Sequence, residues 1–383
     1  MLNNPFTPVF GGKPDFFFGR QDLLKQFDRA LEVRGSDYRS LFITGARGSG
    51  KTALLEQLSL KARRKGWKTV DVGAEHALAS VVRQLAGSDE VTESFSPAVE
   101  ISVLGSGGSF SGKGKSKTTH YGVESLGELL LNVCEAQKEG VFVSVDEVQK
   151  VPLEDMASLC EAFQMASRKG HDAILVIAGL PISYEQIIHQ DGCTFMRRAP
   201  HEELGLLDIT EVRAAYSEAF GLVKGLRLTD EAFDLLVHQS SGHPYMMQLL
   251  GYQLIEYLNG RSGKNITASE EDVAVIVPLA KDIYSRRSLK PLLDELSAGE
   301  VDYLRAMAEV ADSKLLSAAG DITNKLEKTS QQVSATRKKL VDKGIIVPVA
   351  HGVVRFNIPL LRTYVLSPDE EASNLTQLEA WGV

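Results

Sequence analysis

Gly45-Ala46-Arg47-Gly48-Ser49-Gly50-Lys51-Thr52 combine the side chains and backbone needed to hold a polyphosphate. They satisfy the pattern G-x-x-x-x-G-K-[ST] in full. The glycines let the backbone turn tightly and aim successive N–H groups at phosphate oxygens. A helix opening at Thr52 adds partial positive charge at its N-terminus. In such a loop the lysine reaches the β and γ phosphates and the Thr52 hydroxyl ligates Mg²⁺. The implied cofactors are ATP or ADP with Mg²⁺.

A second cluster supplies acid. Val141-Phe142-Val143-Ser144-Val145 is an apolar run that ends in Asp146 and Glu147. A strand ending in two acids is the pattern of a Walker B motif. Asp146 is expected to hold Mg²⁺ directly or through water, and Glu147 to polarise an attacking water.

These residues need elements to position them. Ser40 to Thr44 reads as a short strand and Thr52 to Lys65 as a helix. Further strands are expected at 69–72, 141–145 and 173–178, with helices at 21–33, 123–138 and 153–169. Strands alternating with helices predict an α/β fold with a parallel sheet. Residues 4–20, rich in Pro, Phe and Gly, read as an extended arm. The Gly/Ser-rich stretch at about 88–120 reads as an insertion into the core. Val99, Ile101 and Val103 alternate as in a hairpin, and Lys113, Lys115 and Lys117 place charge at its end. The insertion is either a plain mobile loop or a hairpin that contacts DNA or a partner. Beyond Thr210 the strand signals fade, and helices are expected at 211–220, 230–240 and 245–258.

The expected division is a core at 1–205, a helical lid at 206–287, a third module at 288–366 and an acidic tail at 367–383. In the third module, helices are expected at 298–311, 320–328 and 331–343. Ile345-Ile346-Val347 and Val353-Val354-Arg355-Phe356, joined through His351-Gly352, predict a β-hairpin. This is the order of a winged helix-turn-helix. Its third helix offers Gln331, Gln332, Ser334, Thr336, Arg337 and Lys338 to a major groove, with Arg355 on the wing. Residues 325–362 hold eight Lys plus Arg against two acids, which suits contact with the phosphates of double-stranded DNA. The module is alternatively a surface for protein contacts.

Composition bounds these readings. A chain of 383 residues with net charge −8 is no polybasic coat, so DNA contact requires a local patch. Cys134, Cys160 and Cys193 are odd in number and widely spaced, against a disulfide framework or zinc ribbon. No apolar stretch approaches the roughly 20 residues of a membrane span, and no signal peptide is evident, so a cytoplasmic protein is expected.

Together these motifs resemble the AAA+ and STAND P-loop ATPases, most closely the branch of the origin-recognition initiators. Phe17-Phe18-Gly19-Arg20 is similar to the family's box that lines the adenine pocket. The resemblance implies that Gly19, Arg20, Pro8 and Val9 lie near the base. Gly242-His243-Pro244 resembles the Gly-His-Pro motif of STAND ATPases, which implies that His243 and Pro244 reach the nucleotide phosphates. Arg197 and Arg198 stand where the family presents an arginine finger, and Arg198 joins Glu147 and Lys51 as a catalytic candidate. The sequence departs from the pattern at Ala178-Gly179-Leu180-Pro181, where a polar first sensor is expected. Ser183 is the nearest substitute, and slow hydrolysis is the expectation.

The resemblance implies an ATP-controlled ATPase with a DNA-binding winged helix and self-association in the ATP state. The alternative is a STAND-type signalling switch whose winged helix is an autoinhibitory or protein-contact module. A helper ATPase for mobile-element insertion is a third option.

Overall fold

Unbroken apolar runs, each followed by an amphipathic helix, dictate the first half of the architecture. The computed structural model describes residues 1–9, 17, 19–86, 91–94, 100–103, 120–121, 123–137, 139–261, 265–358 and 360–366. Phe18, Val99, the three insertion lysines and the acidic tail at 367–383 lie outside them. The chain divides into two compact units. One comprises residues 20–44 and 54–203, the other residues 1–19, 45–53 and 204–383.

The first unit carries α1 (Gln21–Glu32), β1 (Ser40–Gly45), α2 (Lys51–Arg64), β2 (Lys68–Val72) and α3 (Ala77–Ala86). After α3 come β3 (Val91–Ser94), β4 (Glu100–Val103) and β5 (His120–Tyr121). The unit continues with α4 (Val123–Ala136), β6 (Val141–Val145), α5 (Leu153–Arg168), β7 (Ala173–Gly179), α6 (Pro181–Ile188) and β8 (His201–Leu204). The main sheet has the order β2-β6-β7-β1-β8. β7 pairs in parallel with both β6 and β1, and β2 pairs in parallel with β6. Every residue of β6 and β7 is buried. That is why both strands read as continuous rather than alternating runs, as strands covered on two faces do. The carboxyl ends of β1 and β6 therefore open on either side of β7, the edge where α/β sheets bind ligands. In the insertion, β3, β4 and β5 form a three-stranded antiparallel sheet, one strand more than the expected hairpin. β8 and α3 were not legible as elements from the sequence. α3 is short, although its Leu78, Val81, Val82 and Leu85 are all buried.

The second unit begins with the arm at 1–9, which is tied down. Phe6 is buried, its ring 4.9 Å from that of Phe220 and 6.2 Å from that of Tyr216. The Thr7 N–H donates to Gln248 Oε1 at 2.8 Å. Beyond β8 follow α7 (Ile209–Gly221), β9 (Leu226–Leu228), α8 (Asp230–Ser240), α9 (Pro244–Asn259), β10 (Ile266–Ala268) and α10 (Glu270–Tyr284). α9 is apolar nearly all round and accordingly central, with Met246, Met247, Leu250 and Leu254 buried.

Across the boundary expected near 285–291 the backbone stays helical. α10 passes through a π-turn at Ser285–Leu289 directly into α11 (Lys290–Asp294). Pro291 lies at the start of α11, directly after the π-turn. The chain then forms α12 (Ala298–Glu309), β11 (Leu316–Ala318), α13 (Ala319–Lys325), α14 (Ser330–Asp342), β12 (Ile346–Ala350), β13 (Val353–Phe356) and α15 (Leu361–Leu366). The three short strands make an antiparallel sheet in the order β11-β13-β12. The order helix, short helix, helix, hairpin holds, with β11 added.

Candidate nucleotide site

The loop between β1 and α2 belongs to the second unit. Its shape comes from glycine. Gly48 has φ +77°, and a Cβ there would lie 2.8 Å from Cε1 of His243. Only a residue without a side chain allows both that conformation and that approach. Beside Gly50 a Cβ would meet nothing within 4 Å, so this flank of the loop is open. Lys51 is buried, and its Nζ donates to the carbonyls of Gly45 and Ala46, each at 2.9 Å. Ser49 Oγ is buried with no hydrogen-bond partner among the described residues. Thr52 stands exposed in the first turn of α2. An open concavity, a lysine across its base, an orphaned hydroxyl and a helix N-terminus fit a polyphosphate.

His243 is held against this loop by its own turn. α8 ends in Ser241 at φ 49° and Gly242 at φ +70°. The Leu207 N–H donates to the Gly242 carbonyl at 2.8 Å. His243 is then the N-cap of α9, with Pro244 in the first turn. Its Nε2 lies 3.3 Å from the Tyr284 hydroxyl. Burial pushes its pKa down to about 4, against a smaller opposing pull from the Arg47 backbone, so the ring is neutral.

Arg47 points the other way. Its Nη1 and Nη2 meet Glu295 Oε1 and Oε2 at 2.9 and 2.7 Å, a bidentate pair. Glu295 lies between α11 and α12, so the phosphate loop is tied to the start of the C-terminal module. Nothing in the sequence signalled this pairing across 248 residues.

Part of the arm expected near the base lies among the described residues. Gly19 and Arg20 both adopt positive φ, at 69° and 59°. A Cβ on Gly19 would strike Leu207 at 2.7 Å. Arg20 is the N-cap of α1, its carbonyl accepting from Leu24 N–H. Pro8 is buried, and its carbonyl accepts from Arg287 Nη1 at 3.5 Å, whereas Val9 is 60% exposed.

In the first unit, Asp146 and Glu147 follow β6. Asp146 Oδ1 accepts from the Glu147 N–H at 2.8 Å, and Asp146 N–H donates to Val72 O at 3.0 Å. Glu147 has φ 55° and is met on Oε2 by Gln149 Nε2 at 2.7 Å and by Lys150 Nζ at 3.2 Å. Ser183 does not substitute for the missing polar sensor. It is fully buried, and its hydroxyl donates to Leu180 O at 2.5 Å within the first turn of α6. The Arg197–Arg198 pair is divided: Arg197 Nε donates to Ile188 O at 2.5 Å, and Arg198 is exposed.

In the C-terminal module, Gln331, Ser334, Lys338 and Arg355 are exposed, while Thr336 and Arg337 are partly buried. Gln332 is exposed as well, and its Oε1 accepts from the Thr329 N–H at 3.0 Å in a capping box. The count of eight basic residues also shrinks in effect. Lys325 pairs with Glu309 and Lys343 with Glu300, each at 2.6 Å, and Arg362 donates to Ala308 O. A groove of about 580 Å³ runs between α14 and the hairpin, lined by Arg337, Lys338, Val341, Pro348, His351 and Val353 among others.

Residues 17–177 match the model of the AAA ATPase domain. Residues 287–365 match a domain of unknown function (DUF8462). The chain thus carries an AAA+ ATPase domain with a P-loop for nucleotide, in a fold that resembles the origin-recognition initiators. Among solved structures it is similar to the ORC2 protein of Aeropyrum pernix, determined as ADPNP-ADP complexes. The TM-score there is 0.63, at 14% identity over 99% of each chain. Cdc6p of Pyrobaculum aerophilum aligns with a TM-score of 0.47, at 14% identity over 91% of this chain and 94% of that one. The A. pernix ORC1 protein, in complex with DNA, gives 0.44 at 15% identity over 94% and 95%. None of the curated proteins compared with the chain matches it.

Proposed function

We propose that this protein is an ATP-binding AAA+ ATPase whose nucleotide state controls a DNA-binding winged helix formed by residues 288–366. The Arg47–Glu295 pair is the observation that carries the reading. It links the third residue of the phosphate loop to the segment that opens the C-terminal module. His243, against Gly48 and beside Tyr284 at the end of α10, is a second link of the same kind.

In this reading Gly45 to Thr52 cradle the phosphates, Lys51 neutralises their charge, and Gly19 and Arg20 border the base. Thr52 and Asp146 hold Mg²⁺, which supplies further charge neutralisation when bound. Glu147 takes a hydrogen bond from water and orients it, and Arg198 is offered to a neighbouring copy. The similar A. pernix fold, solved with ADPNP and ADP, supports an adenine nucleotide. Gln331, Ser334, Thr336, Arg337, Lys338 and Arg355 face DNA, with Gln332 left to its cap. No helix among the described residues is long and apolar enough to cross a membrane.

Duplex binding at low salt, with ATP, with ADP and with neither, tests the proposal. Affinity that differs between the two nucleotides, and a Lys51→Ala variant that loses the difference, is the expected result. No binding in any state refutes the DNA role. Nucleotide-dependent assembly without DNA binding would instead favour the signalling switch.

A further inference from the structure

We infer that Gln149 is the positioning residue for Glu147, supplying from the turn after β6 the polar group that β7 lacks at its end. The inference rests on the reading of Glu147 as the residue that polarises water.

β7 ends in Ala178 and Gly179, with Leu180 next, so it contributes no polar side chain beside the acids. The Gln149 carboxamide spans that gap. Its Nε2 donates to Glu147 Oε2 at 2.7 Å, and its Oε1 accepts from the Leu180 N–H at 3.0 Å. One planar amide therefore joins the acid after β6 to the backbone after β7, and rotating it breaks both bonds. Gly179 leaves room for this bridge, since a Cβ there would lie 2.7 Å from Gln149 Oε1 and 2.8 Å from Val148 Cγ2.

Glu147 needs such a hold. Its φ of 55° is a left-handed conformation that a residue with a side chain rarely adopts and keeps only where the surroundings impose it. The Asp146 carboxylate fixes its N–H and Gln149 fixes its side chain. Lys150 meets the same Oε2, but this lysine is 62% exposed and its pair with Glu147 is the weaker constraint. Both side-chain contacts fall on Oε2, which among the described residues leaves Oε1 to accept from a water. A first-sensor side chain on β7 would orient water from the strand itself. Here the orientation passes through the base, and Gln149 does not touch the reacting atoms.

The test compares ATP turnover, ATP affinity and thermal unfolding for Q149A, Q149E and E147Q in the full chain. Q149A is expected to lower kcat about 10- to 100-fold, with ATP affinity within about twofold and little change in Tm. Q149E places a second carboxylate beside Glu147 and removes the donor. It is expected to lower kcat at least as much as Q149A, again with ATP affinity within about twofold. Wild-type kcat in both Gln149 variants would overturn the inference alone, provided E147Q is inactive. Full turnover by E147Q would remove the base reading and this inference with it. If the wild type shows no turnover, the side-chain amide resonances of Gln149 decide the geometry. They are expected to shift in Glu147→Ala, and unmoved resonances would overturn the bridge.

Discussion

His243 concentrates two constraints in one ring. It must be small and flat enough to lie on Gly48, and it must be neutral, because it is 4% exposed and faces a backbone loop and a tyrosine. With its pKa near 4 rather than 6.5, the folded protein binds fewer protons than the unfolded chain at acid pH. Stability from this residue is therefore complete above pH 6.5 and declines as the pH falls toward 4. At pH 5 the loss amounts to about 2 kcal/mol relative to neutral pH. Denaturant unfolding at pH 7 and pH 5 is expected to show that decrease, and His243→Phe is expected to flatten it. An unchanged pH dependence in the variant would place the titration elsewhere.

Among the elements, α14 shows why a helix face cannot be assigned from residue types alone. Gln332 and Lys338 are both exposed, yet Gln332 is also engaged in the cap of its own helix. Gln332→Ala is expected to cost about 0.5–1 kcal/mol of stability and leave duplex affinity unchanged. Lys338→Ala is expected to do the reverse, weakening binding and reducing the salt dependence by about one ion. A binding defect in Gln332→Ala without a stability defect would reassign that residue to the interface. α12 depends on a similar device. Burial alone would raise the pKa of Glu300, but Lys343 and the Ser297 N–H hold its carboxyl below the usual range. Lys343→Ala leaves this buried carboxylate short of a partner. Because Lys343 is 39% exposed, roughly 1–2 kcal/mol of destabilisation is expected in a thermal or chemical melt.

At the scale of the whole molecule, the question is how a nucleotide reports to the C-terminal module. The Arg47–Glu295 pair is partly exposed on both sides and adds little to stability. Its effect is expected in coupling. Glu295→Ala should leave nucleotide affinity and Tm nearly unchanged while shrinking the difference in duplex affinity between the ATP and ADP states. A Glu295→Ala protein that responds to nucleotide as the wild type does would remove this link from the proposed mechanism. The continuous helix through Ser285–Leu289 gives the same segment a second mechanical connection, and π-turns recur at such functional positions.

What the sequence determined by itself is local. The phosphate loop, the acids after β6, the strands buried on both faces and the capped helices of the C-terminal module depend on neighbours within a few residues. Backbone geometry and hydrophobic periodicity write these directly into residue type. The helices that were expected have boundaries within three residues of those observed for the same reason, whereas α10, with Pro278 inside it, was not read from the sequence. Tertiary structure alone decided which side chains those elements bring together. Gln149 meets the end of β7, Arg47 meets Glu295 and His243 lies on Gly48 because strand order and helix packing set those approaches, and no spacing rule encodes them. The same holds for what is taken out of play. Ser183, Arg197, Gln332 and Lys343 all have the chemistry of site residues, and each is bound to a carbonyl, a cap or a buried acid that only the folded chain puts beside it. The P-loop was legible because its function resides in consecutive backbone amides. The Gln149 bridge from Glu147 to Leu180 was not, because it depends on a side chain reaching from one strand end to the next.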